Sequence, residues 1–324
     1  MEIAEYLKIN LKFVDNKIQI ADWLGGFDEN LQSNILTEVV KLAKDKNLST
    51  METGYVFPQE FNDKYGIKFC YNEELIGFGG WEEMITYDKP PEQDFKNFIC
   101  SFNNSGHVSR QLLTSALNKF GYFNKDYCSK NFKHNGSRVD GHISANVENT
   151  EFYNKFFDLT DEFNQQKYRF GQVVKGQEGL ISDHANNIYF LQNKLAESFL
   201  HIVSETVATS YYPFVTEKFL YSIVTRGLFL AYAPPGWHAH IEKAHGFKLY
   251  TNLFDYRFDS ITNPVKRVVE LLTIVSKFST LTPAEWHDLY LLEADTIEYN
   301  YNHYFSRNYL KCIKDYEESF GNNV

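Results

Sequence analysis

What this sequence lacks closes off several chemistries. Its four cysteines, Cys70, Cys100, Cys128 and Cys312, are scattered, and none stands in a Cys-x-x-Cys or Cys-x-x-His spacing. No structural zinc site or dithiol redox motif is written in that pattern. Isolated thiols in a chain this long fit a reducing compartment. The sequence contains no Gly-x-x-x-x-Gly-Lys-Ser/Thr loop, no Gly-x-Gly-x-x-Gly turn, no His-Glu-x-x-His and no Gly-x-Ser-x-Gly. Those absences remove the signatures of P-loop, dinucleotide, zinc-protease and α/β-hydrolase sites. No apolar run approaches the roughly 20 residues that span a bilayer. The stretch Met1-Glu2-Ile3-Ala4-Glu5 is acidic and has no signal-peptide pattern. The expectation is a soluble cytoplasmic protein with no integral membrane segment. Basic residues are also the minority, 32 Lys and Arg against 42 Asp and Glu, for a net charge of −10. Polyanion binding rests on Lys and Arg contacts with phosphates, so a general nucleic-acid binder is disfavoured. One basic cleft on an acidic body remains compatible with that balance.

What is present is enough for a large core. The chain of 324 residues, 43% of them hydrophobic, suits two lobes of roughly 150 residues each. Aromatic residues reach 17%, with 28 Phe and 22 Tyr. Such rings build cores, and they also line sugar- or base-binding clefts.

The apolar spacing predicts a helix over residues 30–46, with Leu31, Ile35, Val39 and Leu42 on one face. Short strands follow at 67–71 and 98–102. A helix is expected from 108 to 120, stopped by Gly121, and a strand near 127–129. Residues 130–185 yield no motif. The second half is clearer. It predicts a strand at 199–204, a helix at 216–226 and a continuous apolar strand at 228–233, as suits a strand buried on both faces. A helix at 237–245 and a short strand at 247–250 come next. Pro264 is placed at the first position of a helix. Thr282-Pro283-Ala284-Glu285 has the form of a capping box. Repeated βα units imply a parallel sheet with helices on both faces.

Three features carry chemistry. Thr216-Glu217-Lys218 opens a helix, where Thr216 reads as an N-cap and the free N–H groups favour an anion. Lys218 adds a full charge there, and Glu217 can accept from a ribose or sugar hydroxyl. Pro234-Pro235-Gly236 follows the apolar strand, and a turn of that kind lets backbone approach a ligand. Glu205 ends the preceding strand, where a carboxylate would face a cleft. Each feature alone is also ordinary design: a capped helix, a tight connection, an exposed strand end.

Their order resembles the donor-binding lobe of GT-B-type glycosyltransferases. More narrowly, it is similar to fucosyltransferase-like families found among bacterial and phage enzymes. The residues that carry the likeness are Val215-Thr216-Glu217-Lys218, the run from Gly227 to Gly236, and Gly246-Phe247-Lys248-Leu249-Tyr250. The likeness spans about residues 199–275. It implies an α/β fold of two Rossmann-like lobes. The acceptor-side lobe would cover 1–180, the nucleotide-sugar lobe 181–300, and a C-terminal helix at 301–324 would pack back on the first lobe. It implies donor-binding roles for Arg110, Glu205, Thr216, Glu217, Lys218, Pro235 and Gly236. Arg110, Thr216 and Lys218 would meet the diphosphate, and Glu205 and Glu217 the donor hydroxyls.

The Glu205–Glu217 spacing is longer than the Glu-x7-Glu of many retaining enzymes of that fold, so the stereochemical outcome stays open. No Asp-x-Asp occurs, and no metal or cofactor beyond the nucleotide-sugar donor is expected. Glu82, Glu83 and His107 are candidates for a catalytic base. His238, His240 and His245 read as solvated or cleft-lining side chains. The acceptor stays open between a surface glycan and a hydroxymethylated base in phage DNA. A module that binds a nucleotide or glycan without turnover is the remaining alternative.

Overall fold

Asp15 and Asn16 both adopt positive φ, at 46° and 63°. Two such residues in a row make the turn that suits a tight β-hairpin. They join β1 (Leu11–Val14) to β2 (Lys17–Ile20), antiparallel. The computed structural model describes residues 11–20, 29–53, 59–72, 90–103, 108–122, 127–130, 184–205, 208, 213 and 215–321. Helix α1 (Glu29–Asp45) leads to β3 (Thr50–Thr53), and α2 (Gln59–Tyr65) to β4 (Lys68–Tyr71). The strands β2, β3 and β4 are parallel, so the first sheet runs β1-β2-β3-β4. Ile18, Ile20, Met51 and Phe69 pack with Ile35, Leu36, Val39 and Ala43 of α1 into one core. Strands this short alternate faces, and the opposite side is polar. There Glu52 accepts from Lys17 Nζ at 2.6 Å and from Gln19 Nε2 at 2.9 Å.

The second sheet is all parallel. Its strands are β5 (Asn97–Asn103), β6 (Tyr127–Lys130), β7 (Ser198–Ser204) and β8 (Leu228–Tyr232). Their order is β6-β5-β7-β8. Every residue of β7 and β8 is buried, the pattern of strands covered on both faces. Helices α3 (Val108–Lys119) and α4 (His184–Ala196) lead into strands. A 3-10 turn, Glu217–Phe219, runs into α5 (Leu220–Val224) before β8. After β8 come α6 (Trp237–His240), a π turn (Ile241–His245) and a 3-10 turn (Arg257–Ser260). The chain ends in four helices: α7 (Pro264–Ser276), α8 (Pro283–Leu291), α9 (Ala294–Phe305) and α10 (Asn308–Gly321).

The C-terminal helices pack back on both sheets. Trp286 of α8 stacks on Phe98 and Phe199, with ring centroids 5.7 Å and 6.0 Å away. Its indole N–H donates to the Phe278 carbonyl at 2.9 Å, which satisfies the polar end of a buried ring. Much of the aromatic content is spent in this core rather than on a cleft. Helix α10 lies against the π turn and against β4 of the first sheet. Pro264 opens α7 as expected, behind an N-cap at Asn263 that accepts from Lys266 N, and Thr282 and Glu285 close the expected capping box.

The fold is thus mixed α/β with parallel-strand sheets and a helical C-terminus. In three places it departs from expectation. The division expected at residue 180 falls between β6 and β7, inside one hydrogen-bonded sheet. The change from one sheet and core to the other lies between β4 and β5. Phe247–Tyr250 is not a strand. Its backbone is satisfied by a side-chain amide instead: Asn300 accepts from Lys248 N at 2.8 Å and donates to Lys248 O at 2.9 Å. The helix expected over 216–226 is a 3-10 turn and a short α-helix, ended by Arg226 at φ 54°. Residues 131–183, where no motif was legible, lie outside the described residues.

Gly227 is fixed by packing. A Cβ there would collide with the His201 imidazole. That ring cannot yield, because Nδ1 pairs with Ser222 Oγ at 2.8 Å and Nε2 with the Leu195 carbonyl at 2.9 Å. Gly227→Ala is therefore expected to lower unfolding stability by about 2 kcal/mol or more, read by urea denaturation. A midpoint unchanged from wild type would contradict this packing account.

Candidate functional site

In an open parallel sheet, ligands bind outside the carboxyl ends of the strands, where the strand order reverses. Here the chain steps from β5 to β6 on one side, then places β7 on the other side of β5. The reversal therefore lies between β5 and β7. The ends of these strands are Asn103 and Ser204, and Glu205 follows directly. Helix α3, which follows β5, carries Arg110 in its first turn. The segment after β7 returns to the same edge at Thr216-Glu217-Lys218. Five of the residues singled out from sequence thus meet through charge and hydrogen bonds: Arg110, Glu205, Thr216, Glu217 and Lys218.

Glu205 is fully buried. Its Oε1 accepts from Thr216 N at 3.0 Å, and its Oε2 accepts from the Thr216 hydroxyl at 2.5 Å. Lys218 Nζ donates to the same hydroxyl at 2.7 Å and lies 3.3 Å from Glu217 Oε1. Burial pushes the Glu205 carboxyl up, and the neighbouring Glu217 adds to this. The Lys218 charge and the two bonds from Thr216 pull it down, and the net direction is up. Arg110 is 7% exposed. Burial lowers its guanidinium to about 10, with Glu217 and Glu205 holding it up, so it stays cationic at neutral pH. The result is two cations and two carboxylates at one sheet edge.

Two expected roles change. Glu205 does not line a cleft, because it is enclosed and both its oxygens accept from Thr216. Thr216 occupies the N-cap position with extended backbone, φ −125° and ψ 175°, yet its side chain makes no cap bond. The turn behind it is 3-10 and the helix has only five residues. At the Thr216 turn the positive charge therefore comes from the Lys218 side chain, not from a helix end.

Pro235 and Gly236 are half-buried at the end of β8. Gly236 takes φ 77°, which favours glycine. Its nearest neighbour beyond the turn is Pro213 Cγ, 3.8 Å from where a Cβ would lie, so the β8 turn adjoins the segment entering Thr216. Its N–H donates to the Asp259 carbonyl at 2.8 Å. That N–H is a fold contact rather than a ligand donor.

The histidines that follow are buried, not solvated. His238 Nε2 accepts from Ala231 N at 3.1 Å, so the ring proton sits on Nδ1 and is donated to Asp259 Oδ1 at 2.7 Å. Asp259 also accepts from His238 N and Ala239 N. This clamp ties α6 to β8. Sequence reading missed it because the partners stand 21 positions apart, with no spacing rule to join them. Among the described residues no group of three His, Cys, Asp or Glu side chains could hold a metal ion, and no helix is long and apolar enough to cross a membrane. Glu82, Glu83 and His107 lie outside the described residues. No protein-family model, curated protein or solved structure matches the chain.

The clamp has a definite pH signature. Burial pushes the Asp259 carboxyl up, but the His238 ring and the N–H groups of His238 and Ala239 outweigh it, and the net direction is down. A depressed carboxylate stabilises the fold above its unfolded pKa, and that contribution is lost as pH falls through the folded value. Asp259→Asn should cost about 2 kcal/mol at pH 7. The gap to wild type should close as pH drops below the ordinary aspartate range. Urea melts across pH 7 to 3 test this, and a gap independent of pH would be the contrary result.

Proposed function

We propose that the protein is a nucleotide-sugar-dependent glycosyltransferase that holds its donor diphosphate at the carboxyl ends of β5 and β7. The observation that carries this reading is the convergence of Arg110 and Lys218 beside Glu217 at the order reversal of a parallel sheet. The two cations come from segments far apart in sequence. The resemblance of residues 199–275 to fucosyltransferase-like enzymes points to the same place. The sheet topology and the sequence pattern are independent supports.

The chemistry follows from charge. Breaking the bond between sugar and diphosphate leaves negative charge on the departing phosphate. Fixed cations in a partly dry site stabilise that charge more than water does. A lysine ammonium has three N–H groups, and Thr216 and Glu217 engage two of them. The third is directed to the donor. Arg110 brings a planar fork suited to phosphate oxygens. Glu217 is partly exposed and takes donor hydroxyls. In this reading the acceptor is a glycan hydroxyl, with a hydroxymethylated DNA base as the alternative.

Calorimetry and thermal shift against a panel of UDP-, GDP-, dTDP- and CMP-linked sugars test the reading. One donor is expected to bind. Lys218→Ala and Arg110→Gln should each weaken it by about 10- to 100-fold, the loss of a charged hydrogen bond. Adding the matching acceptor should release free nucleotide. If no nucleotide sugar binds the folded wild-type protein, the reading is abandoned.

A further inference from the structure

We propose that Glu205 is a positioning residue that acts through the Thr216 hydroxyl to fix the Lys218 ammonium, and does not itself touch a ligand. This deepens the donor-site reading and rests on it only for the identity of the bound anion.

The geometry sets a direction along three side chains. A threonine hydroxyl has one proton to give and lone pairs to accept with. Thr216 gives its proton to Glu205 Oε2, across 2.5 Å. Its lone pairs are thereby turned toward Lys218, whose Nζ donates across 2.7 Å. The backbone N–H of Thr216 donates to the other Glu205 oxygen, at 3.0 Å. One carboxylate thus holds both the backbone and the side chain of Thr216, and the hydroxyl cannot rotate away without losing its bond to Oε2.

A threonine at this position ordinarily turns its oxygen onto the first N–H groups of the helix. Here that cap is not made. The hydroxyl is used as a relay between an enclosed carboxylate and a partly exposed ammonium. Burying a carboxylate is costly unless its hydrogen bonds and charge are matched. Glu205 is fully buried, and the Lys218 charge reaches it through Thr216. The arrangement holds the ammonium by attraction from behind and leaves its front free of that carboxylate. Lys218 is thus presented in one orientation before any anion arrives, which reduces the ordering required on binding.

Three substitutions separate this role from plain packing. Thr216→Ser keeps the hydroxyl. Thr216→Val keeps the shape and removes it. Glu205→Gln keeps the shape and replaces the terminal acceptor with an amide that donates to the hydroxyl.

The primary readout is the lysine side-chain ammonium resonance of the full chain, observed by proton–nitrogen correlation and assigned by its loss in Lys218→Arg. A protected Lys218 signal is expected in wild type and Thr216→Ser. It should vanish into solvent exchange in Thr216→Val and in Glu205→Gln. A wild type without a protected signal, or a Glu205→Gln signal identical to wild type, overturns the proposal. Should Thr216→Val fail to fold, Glu205→Gln carries the same test.

The second readout is binding of inorganic pyrophosphate by calorimetry. Thr216→Val and Glu205→Gln should bind about tenfold more weakly, with Thr216→Ser restored to near wild type. Where wild type binds pyrophosphate, equal affinity in all three variants overturns the proposal. A wild type with the expected ammonium signals that binds neither pyrophosphate nor any nucleotide sugar would instead remove the donor-site reading and leave the positioning role standing.

Discussion

The parallel ladder between β5 and β7 carries the site. It pairs Asn97 with Ser198 and Ile99 with Leu200, joining two distant parts of the chain. Because β6 lies on one side of β5 and β7 on the other, the connections diverge at this point. The geometric result is a topological switch point at the carboxyl edge, the place where open parallel sheets bind ligands. Arg110 reaches it from α3, and Thr216-Glu217-Lys218 from the segment after β7. Without that pairing Arg110 would not face Glu205 and Glu217, and Glu205 would have no reason to be enclosed.

The electrostatics of the edge follow from this enclosure. Two cations and two carboxylates would cancel if all four were solvated and free to pair. They do not stand in equal positions. Glu205 is buried and its acid strength is reduced, while Lys218 and Glu217 keep contact with solvent. The inner carboxylate orients and the outer pair meets the surroundings. The division of labour is set by depth rather than by residue type.

How much of this was legible in the sequence varied with the range of the interaction. The apolar run of β8 announced a strand buried on both faces because it lacks any polar break, whereas β7 carries His201 at its centre and was legible only as a strand. The capping box at Thr282 was legible because its bonds close within three residues. The motif order around Thr216 placed several site residues at one sheet edge. The β1–β2 hairpin went unread, since four-residue strands of mixed polarity give little periodic signal. Strand pairing across residue 180 was hidden for a different reason, because no local pattern reports which distant strand is a neighbour. The enclosure of Glu205 and the His238–Asp259 clamp belong to the same class. Phe247–Tyr250 shows the converse error. Its composition suits a strand, but an asparagine side chain supplies the bonds that a neighbouring strand would have made.

The His238 clamp has a consequence at the rim of the second sheet. Among the described strands β8 ends the row, and an end strand carries outward-facing N–H groups that another chain can pair with. At Ala231 that donor is already taken by an imidazole of the same molecule. The ring stands where an incoming strand would need an acceptor, and Asp259 holds it there. A contact that fastens α6 locally thus also blunts edge-to-edge aggregation, and a protein with this clamp is better guarded against self-association during the time its sheet is newly formed.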